Sequence, residues 1–195
     1  MSDYKNYTSA SLTFYDDKIV VEDSGSSYNG IEVMMSWEDP IMSASAAYVT
    51  QNGGDILEIG FGMGISAGYM HSHSISSHTI VENHTQLIEK AITWASGKSN
   101  VTIVSQSIED CINNLETYDG IFWDAFGDSN FYSVMSGSLD NLKKNSGTKL
   151  TFFHGPHNNS QLYHWTDVQY ETINVSPDTN KYYSDDVYYL PKLEL

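Results

Sequence analysis

The chain has 195 residues, 40% of them hydrophobic, and sets 25 acidic residues against nine basic ones for a net charge of −16. All nine basic residues are lysines, so the basic patch of a nucleic-acid binder and the cationic face of a binder of anionic membranes are both excluded. No run approaches the roughly 18 apolar residues of a membrane span, and the length suits one compact domain with a substantial core.

Most of the acid reads as solubility, but a field of this sign also draws cations into clefts. The lone cysteine, Cys111, has no internal disulfide partner, and the opening MSDYKNYTSA has no basic segment followed by an apolar run. Both predict a cytoplasmic protein without a secretory leader.

Residues 1–30 are rich in Ser, Tyr and Asp around one β-like run, KIVVE (18–22), and predict an N-terminal arm or lid ahead of a main domain over 31–195. After Pro40, IMSASAAYVTQN spaces small and apolar residues as a helix does and stops at Asn52-Gly53-Gly54. DILEIGFG is a strand over 55–59 running into glycines, ISAGYMHSH (65–73) a helix, and HTIVE (78–82) a second strand. HTQLIEKAITWAS (84–96) is an amphipathic helix with Leu87, Ile88, Ala91, Ile92 and Ala95 on its inner face, closed by Gly97. NVTIVSQ (100–106), YDGIFWD (118–124) and TKLTFFH (148–154) are three more strands. Helices over 108–116 and 129–144 separate them, the second with Val134, Met135, Leu139 and Leu142 inward. DVQYETINV and SDDVYYLP are two final strands. This order predicts an α/β fold: a doubly wound, mostly parallel seven-stranded sheet with a C-terminal antiparallel hairpin. Ligands of such sheets bind at the carboxyl ends of the strands, where Glu82 and Asp124 stand.

Strand one passes Glu58 and runs through Ile59-Gly60-Phe61-Gly62-Met63-Gly64 into Ile65. Glycines let a backbone turn sharply and approach a ligand without a Cβ in the way. The spacing is G-x-G-x-G, not the G-x-G-x-x-G of dinucleotide sites, and no lysine follows as in a P-loop. No phosphate grip is evident. Glu82 ends strand two, in the place from which an acid takes ribose hydroxyls. A tight turn with an incidental acid would look similar, but strand, loop, helix, strand and acid in this order favour a nucleoside without phosphates. S-adenosylmethionine, an adenosine carrying a sulfonium, fits. The arrangement is similar to the class I S-adenosylmethionine-dependent methyltransferases.

Two further acids raise the question of a cation. Asp124 ends the apolar run Ile121-Phe122-Trp123, where a lone carboxylate is costly unless a cation or hydrogen-bond donors meet it. A helix cap is the plain alternative. Glu38 sits in VMMSWEDPIM, where acid enrichment ahead of a proline at a helix start is the plain alternative. The flanking Met34, Trp37 and Met42 are too apolar for a solvated cap and suit an adenine or sulfonium wall.

VMMSWEDPIM, GGDILEIGFGMG, HTIVEN, YDGIFWDAF, LKKNSGTKLTFF and KYYSDDVYYLPKL, in this order over roughly residues 30–195, resemble the guanidinoacetate N-methyltransferase family. The resemblance implies that Glu38 and Asp124 grip the substrate guanidinium, with Asp124 the proton acceptor and Glu38 the orienting group. It implies that Met34 and Met42 contact the cofactor and that Phe61, Gly62, Met63, Gly64 and Ile65 surround its methionine moiety. Glu82 falls on the ribose ligand beside Asn83, and Gln106 and Ser107 at the adenine edge. The family holds the substrate carboxylate just after strand five, which here is Gly155-Pro156-His157-Asn158. Pro156 lacks an N–H, so Gly155 and His157 or Asn158 take that role. Phe14 and Tyr15 are candidates for the aromatic that covers the cofactor.

The remaining chemistry-bearing residues read as structural. His71, His73, His78, His84, His154, His157 and His164 lack metalloprotease spacing and suggest surface or loop positions with no metal. Cys111 suggests core, and the tyrosine-rich tail sheet packing. The resulting expectation is an S-adenosylmethionine-dependent N-methyltransferase for a small guanidino compound, with no nucleic-acid or membrane partner. The alternatives are another small amine or an arginine side chain as acceptor, or a protein that binds or consumes S-adenosylmethionine without methylating anything. The last has no use for a guanidinium clamp.

Overall fold

In the computed structural model, residues 7–126, 131–154 and 167–195 are described. The N-terminal segment forms β1 (Leu12–Phe14) and β2 (Lys18–Val21), which pair with β3 (Glu32–Met35) in a three-stranded antiparallel sheet. A 3-10 turn, Ser36–Glu38, then leads into α1 (Asp39–Val49), with Pro40 in its first turn, where a missing N–H costs nothing.

The large sheet follows. Its elements are β4 (Asp55–Ile59), α2 (Ile65–Ser72), β5 (Ser77–Val81), α3 (Thr85–Ala95), β6 (Val101–Val104) and α4 (Ile108–Cys111). Then come β7 (Gly120–Trp123), α5 (Phe131–Leu142), β8 (Lys149–Phe152), β9 (Gln169–Asn174) and β10 (Val187–Glu194). The seven strands lie in the order β6-β5-β4-β7-β8-β10-β9. The first five are parallel, and β10 runs antiparallel to both β8 and β9. The chain winds outward from β4 to β6 and returns to β7 on the other side of β4. The order therefore reverses between β4 and β7, where such folds open a ligand crevice.

Strand alternation loads both faces. Ile56 and Phe122 pack with Met35, Ile41, Met42 and Val49 on one face. Leu57, Ile59, Ile121 and Trp123 pack with Met135, Leu139 and Leu142 of α5 on the other. All four residues of β7 are buried, as a central parallel strand covered on both faces requires.

Three expectations change. Ile92 is 54% exposed, because the buried stripe of α3 is Leu87 and Ala91, and Trp94 packs on Phe61 in its stead. The helix expected over 108–116 ends at Cys111, continues as a 3-10 turn at Ile112–Asn114 and stops there. His78 and His84, expected at the surface, are fully buried, and His154 is buried as well. His78 sits beside a buried carboxylate, while His84 bonds to backbone. Cys111 is buried, as expected. Among the described residues no helix is long and apolar enough to cross a membrane, and no group of side chains could hold a metal ion.

Candidate active site

A cleft of about 660 Å³, measured out to its open mouth, lies at the carboxyl ends of β4, β5, β6 and β7. Its floor is the glycine loop. Gly60 has φ 92°, and a Cβ there would come 1.9 Å from the Asp124 carbonyl oxygen, so the turn out of β4 tolerates no side chain. Gly62 has φ 51° and abuts the Met34 sulfur, which accepts from the Met63 N–H at 3.1 Å.

Glu58, two residues before Gly60, is fully buried. The Ser66 hydroxyl at the start of α2 donates to its Oε1. His78 Nε2 lies 2.9 Å from its Oε2, close enough for an ion pair though angled away from a hydrogen bond. Glu58 thus ties both sides of the loop from beneath.

Glu82, 6% exposed, follows β5 at the cleft. Its Oε2 accepts from the Phe61 N–H at 2.9 Å, and its Oε1 from the Asn83 and His84 N–H groups, each at 2.8 Å. Burial raises its proton affinity, the three N–H donors pull it down again, and the charge of Glu58 adds to the rise. Three donors do not exhaust the acceptor capacity of its two oxygens, and Glu82 lines the cleft. Asn83, Gln106, Asp124 and Phe126 complete this wall.

The acids of the other half come from distant parts of the chain. Glu38 is 4% exposed. Its Oε1 accepts from the Met35 N–H at 2.7 Å, the reach-back half of a capping box, and from the Tyr182 hydroxyl at 2.6 Å. Burial pushes its pKa up to about 7, against the pull of Tyr182 and Met35. Asp124 is partly open to the cleft and anchored by its N–H to the Ile59 carbonyl at 2.8 Å. Burial holds its carboxyl well above the usual range, and the negative charges of Glu38, Glu58 and Glu82 add to that, Glu38 first. Asp124 lines the cleft and Glu38 is not among its lining residues, but the charge of Glu38 reaches Asp124, and among the described residues neither acid pairs with a lysine.

Of the residues expected at the cofactor, Met34, Gly60, Phe61, Gly62, Glu82, Asn83, Gln106 and Asp124 line the cleft. Met42 does not: it is fully buried in the core around α1. Glu58 lies beneath the loop, and Met63 and Ile65 pack against that same core. Gly64, at φ 74°, caps α2. Ser107 caps α4, accepting from the Asp110 N–H. Gly155 and His157 lie outside the described residues. The aromatic at the cleft is Tyr7, packed on Phe126 at 4.6 Å. Neither Phe14 nor Tyr15 lines it: Tyr15 is 45% exposed and bonds Glu22, and Phe14 lies under Lys90. Tyr182 went unnoticed because a tail rich in tyrosine offers no periodic signal for one of them. Its usable cue was Asn180, a turn former, whose Oδ1 accepts from the Tyr182 and Tyr183 N–H groups.

A doubly wound sheet with a cleft at its reversal point, a glycine loop without a phosphate grip and an acid after the second parallel strand are the features of the class I S-adenosylmethionine-dependent methyltransferase fold. The family model described as guanidinoacetate N-methyltransferase matches residues 6–174, and the chain belongs to that family. Similar sequences include protein arginine N-methyltransferase 2 of Aspergillus fumigatus, 34% identical over 76% of this chain and 35% of that protein. The namesake from Saccharomyces cerevisiae is 30% identical over 76% of this chain and 38% of that protein. The chain thus spans little more than a third of the length of these curated relatives. Solved structures of similar fold include spermidine synthase from Thermotoga maritima, with TM-score 0.60 and 13% identity over 93% of this chain and 71% of that one. The N-methyltransferase NodS of Bradyrhizobium japonicum gives 0.56 and 14% over 80% and 94%. Fold and family place the chain among the class I methyltransferases, whose methyl donor is S-adenosylmethionine. The bare glycine loop and the spare acceptors of Glu82 fit that donor.

Proposed function

We infer that the domain methylates a guanidinium nitrogen of a small guanidino compound, held between Glu38 and Asp124. The observation that carries this is an Asp124 carboxyl at the cleft that feels the charge of the buried Glu38 while, among the described residues, no lysine pairs with either. Isolated buried charge is costly, and an arriving planar cation with several N–H donors would offset that cost.

S-adenosylmethionine supplies an electrophilic methyl group on a sulfonium. Glu82 and Asn83 would hold its ribose, Gln106 the adenine edge, and Met34, Phe61 and Gly62 the remainder. A free guanidinium, protonated at any physiological pH, is a poor nucleophile. Glu38 orients its plane, and Asp124 accepts the proton that the nitrogen sheds as it gains the methyl. Tyr7, on the N-terminal arm, would help exclude water from the cleft. Gly155 and His157 would hold the far end of the substrate. The setting proposed is cytoplasmic.

A second reading takes an arginine side chain as the acceptor. The names of the fungal relatives favour it, and the net charge of −16 suits a cationic peptide. Incubation with methyl-labelled S-adenosylmethionine and guanidinoacetate, arginine-containing peptides or simple amines tests both. Label on a free guanidino compound supports the first reading, and label on peptide arginine alone supports the second. Tight donor binding with no labelled guanidino product in either form would end both.

A further inference from the structure

Tyr182 lies in the connection between β9 and β10 and reaches Glu38 from there. Trp37 flanks its ring at 5.8 Å and 32°, and stacks on the neighbouring Tyr183 ring at 5.4 Å and 26°. With the Asn180 turn behind it, this stack directs the Tyr182 phenol onto Glu38 Oε1, 144 residues away in sequence, at 2.6 Å. The Met35 N–H donates to that same oxygen. Oε1 is committed twice, and among the described residues no donor reaches Oε2.

We propose that Tyr182 is a positioning residue for the methyl acceptor: by occupying Glu38 Oε1 it restricts Glu38 to a one-oxygen grip through Oε2, so that the guanidinium bridges Glu38 and Asp124. The inference rests on the guanidinium reading above. A free carboxylate pairs side-on with a guanidinium through two parallel N–H bonds. Side-on pairing at Glu38 would draw the cation to that acid and away from Asp124. A single-oxygen grip leaves the next nitrogen beside Asp124, where its proton departs as the N–CH₃ bond forms and the S–CH₃ bond breaks.

The surroundings keep the phenol a donor. Asp124 beyond β7 and Glu32 on β3 face it with negative charge, as Glu38 does, and these charges add to burial in raising the phenol's proton affinity. Tyr188 of β10 shares the field of Asp124 and Glu38. The bond from Tyr182 in turn favours the ionised form of Glu38.

The test is steady-state kinetics of Y182F between pH 6 and 9, with the guanidino acceptor that the native enzyme uses. Y182F keeps the ring and loses the donor. Expected are a fall in kcat of about tenfold or more, little change in acceptor KM, unchanged S-adenosylmethionine affinity, and an acid limb of kcat/KM moved to higher pH. Tyr182→Leu, without a ring, should show the same limb shift. Y183F serves as control: it loses its bond to the Val187 carbonyl, and its limb should stay in place. An unmoved limb in Y182F or Tyr182→Leu that still binds donor, or an equal shift in Y183F, overturns the inference alone. Absence of any guanidino turnover by the native enzyme removes the functional reading and this inference together.

Discussion

The acids at and around the cleft fall into two groups, a donor half of Glu82 and Glu58 and an acceptor half of Asp124 and the nearby buried Glu38, and the two are treated in opposite ways. In the donor half, Glu82 receives three backbone N–H groups, and Glu58 beneath it is met by Ser66 and His78. In the acceptor half, Glu38 has its two donors on one oxygen, and Asp124 faces three other acids. The first half is prepared for a neutral ligand such as a diol, which needs fixed acceptors. The second stays electrostatically unfinished, which suits a ligand that brings its own positive charge. Preorganisation of this kind is stored as instability of the free protein.

That contrast is open to direct attack. The largest effect should come from Asp124→Asn, which removes the proton acceptor and keeps the shape. Turnover should fall by about 10²- to 10⁴-fold, with S-adenosylmethionine affinity by calorimetry within a few-fold of native. Equal loss of both would merge the two halves. Glu82→Gln should do the reverse. It sets an amide NH₂ among the Phe61, Asn83 and His84 N–H donors, so donor affinity should weaken by roughly ten- to a hundredfold, with the acceptor KM nearly unchanged.

Stability should follow pH with an unusual sign. The Glu38 carboxyl rises from an ordinary 4.5 to about 7 in the folded chain. The native state therefore holds a proton that the unfolded state releases. The associated stability is fully present below pH 4.5 and is lost as pH rises through 7, a change of about 3 kcal/mol from this group. Asp124 acts in the same direction. Denaturant melts of the free protein should show stability falling from pH 5 to 8, and a bound guanidino ligand should flatten the fall. A free protein that grows more stable over that range would refute the electrostatic description of the acceptor half. The smallest effect should come from Met42→Leu, a volume-conserving core swap expected to cost under about 1.5 kcal/mol. Because Met42 does not line the cleft, donor affinity should not move. A clear loss would return Met42 to the donor half, where the family resemblance puts it.

Much of the donor half was legible in the chain. Gly60, Gly62 and Glu82 are held within a short βαβ stretch, so spacing alone brings them together. The acceptor half was legible as residue types: Glu38 and Asp124 stood out as acids among large apolar neighbours. The identity of the third member was not. Tyr182 reaches Glu38 from the far end of the chain, out of the connection between β9 and β10. Ile92 illustrates the same limit on a smaller scale. Its spacing permits the inner face of α3, and only the tertiary packing shows that Ile92 is exposed while Trp94 packs on Phe61.

The sequence by itself determined the order of strands and helices, the reversal of the sheet and the bare glycine loop. Those depend on periodicity and on backbone freedom, which act over a few residues. The tertiary structure decided which aromatics meet the acids: Tyr7 over the cleft and Tyr182 on Glu38, with His78 and His84 drawn inside. Such contacts depend on how distant segments pack, and no local pattern carries that information.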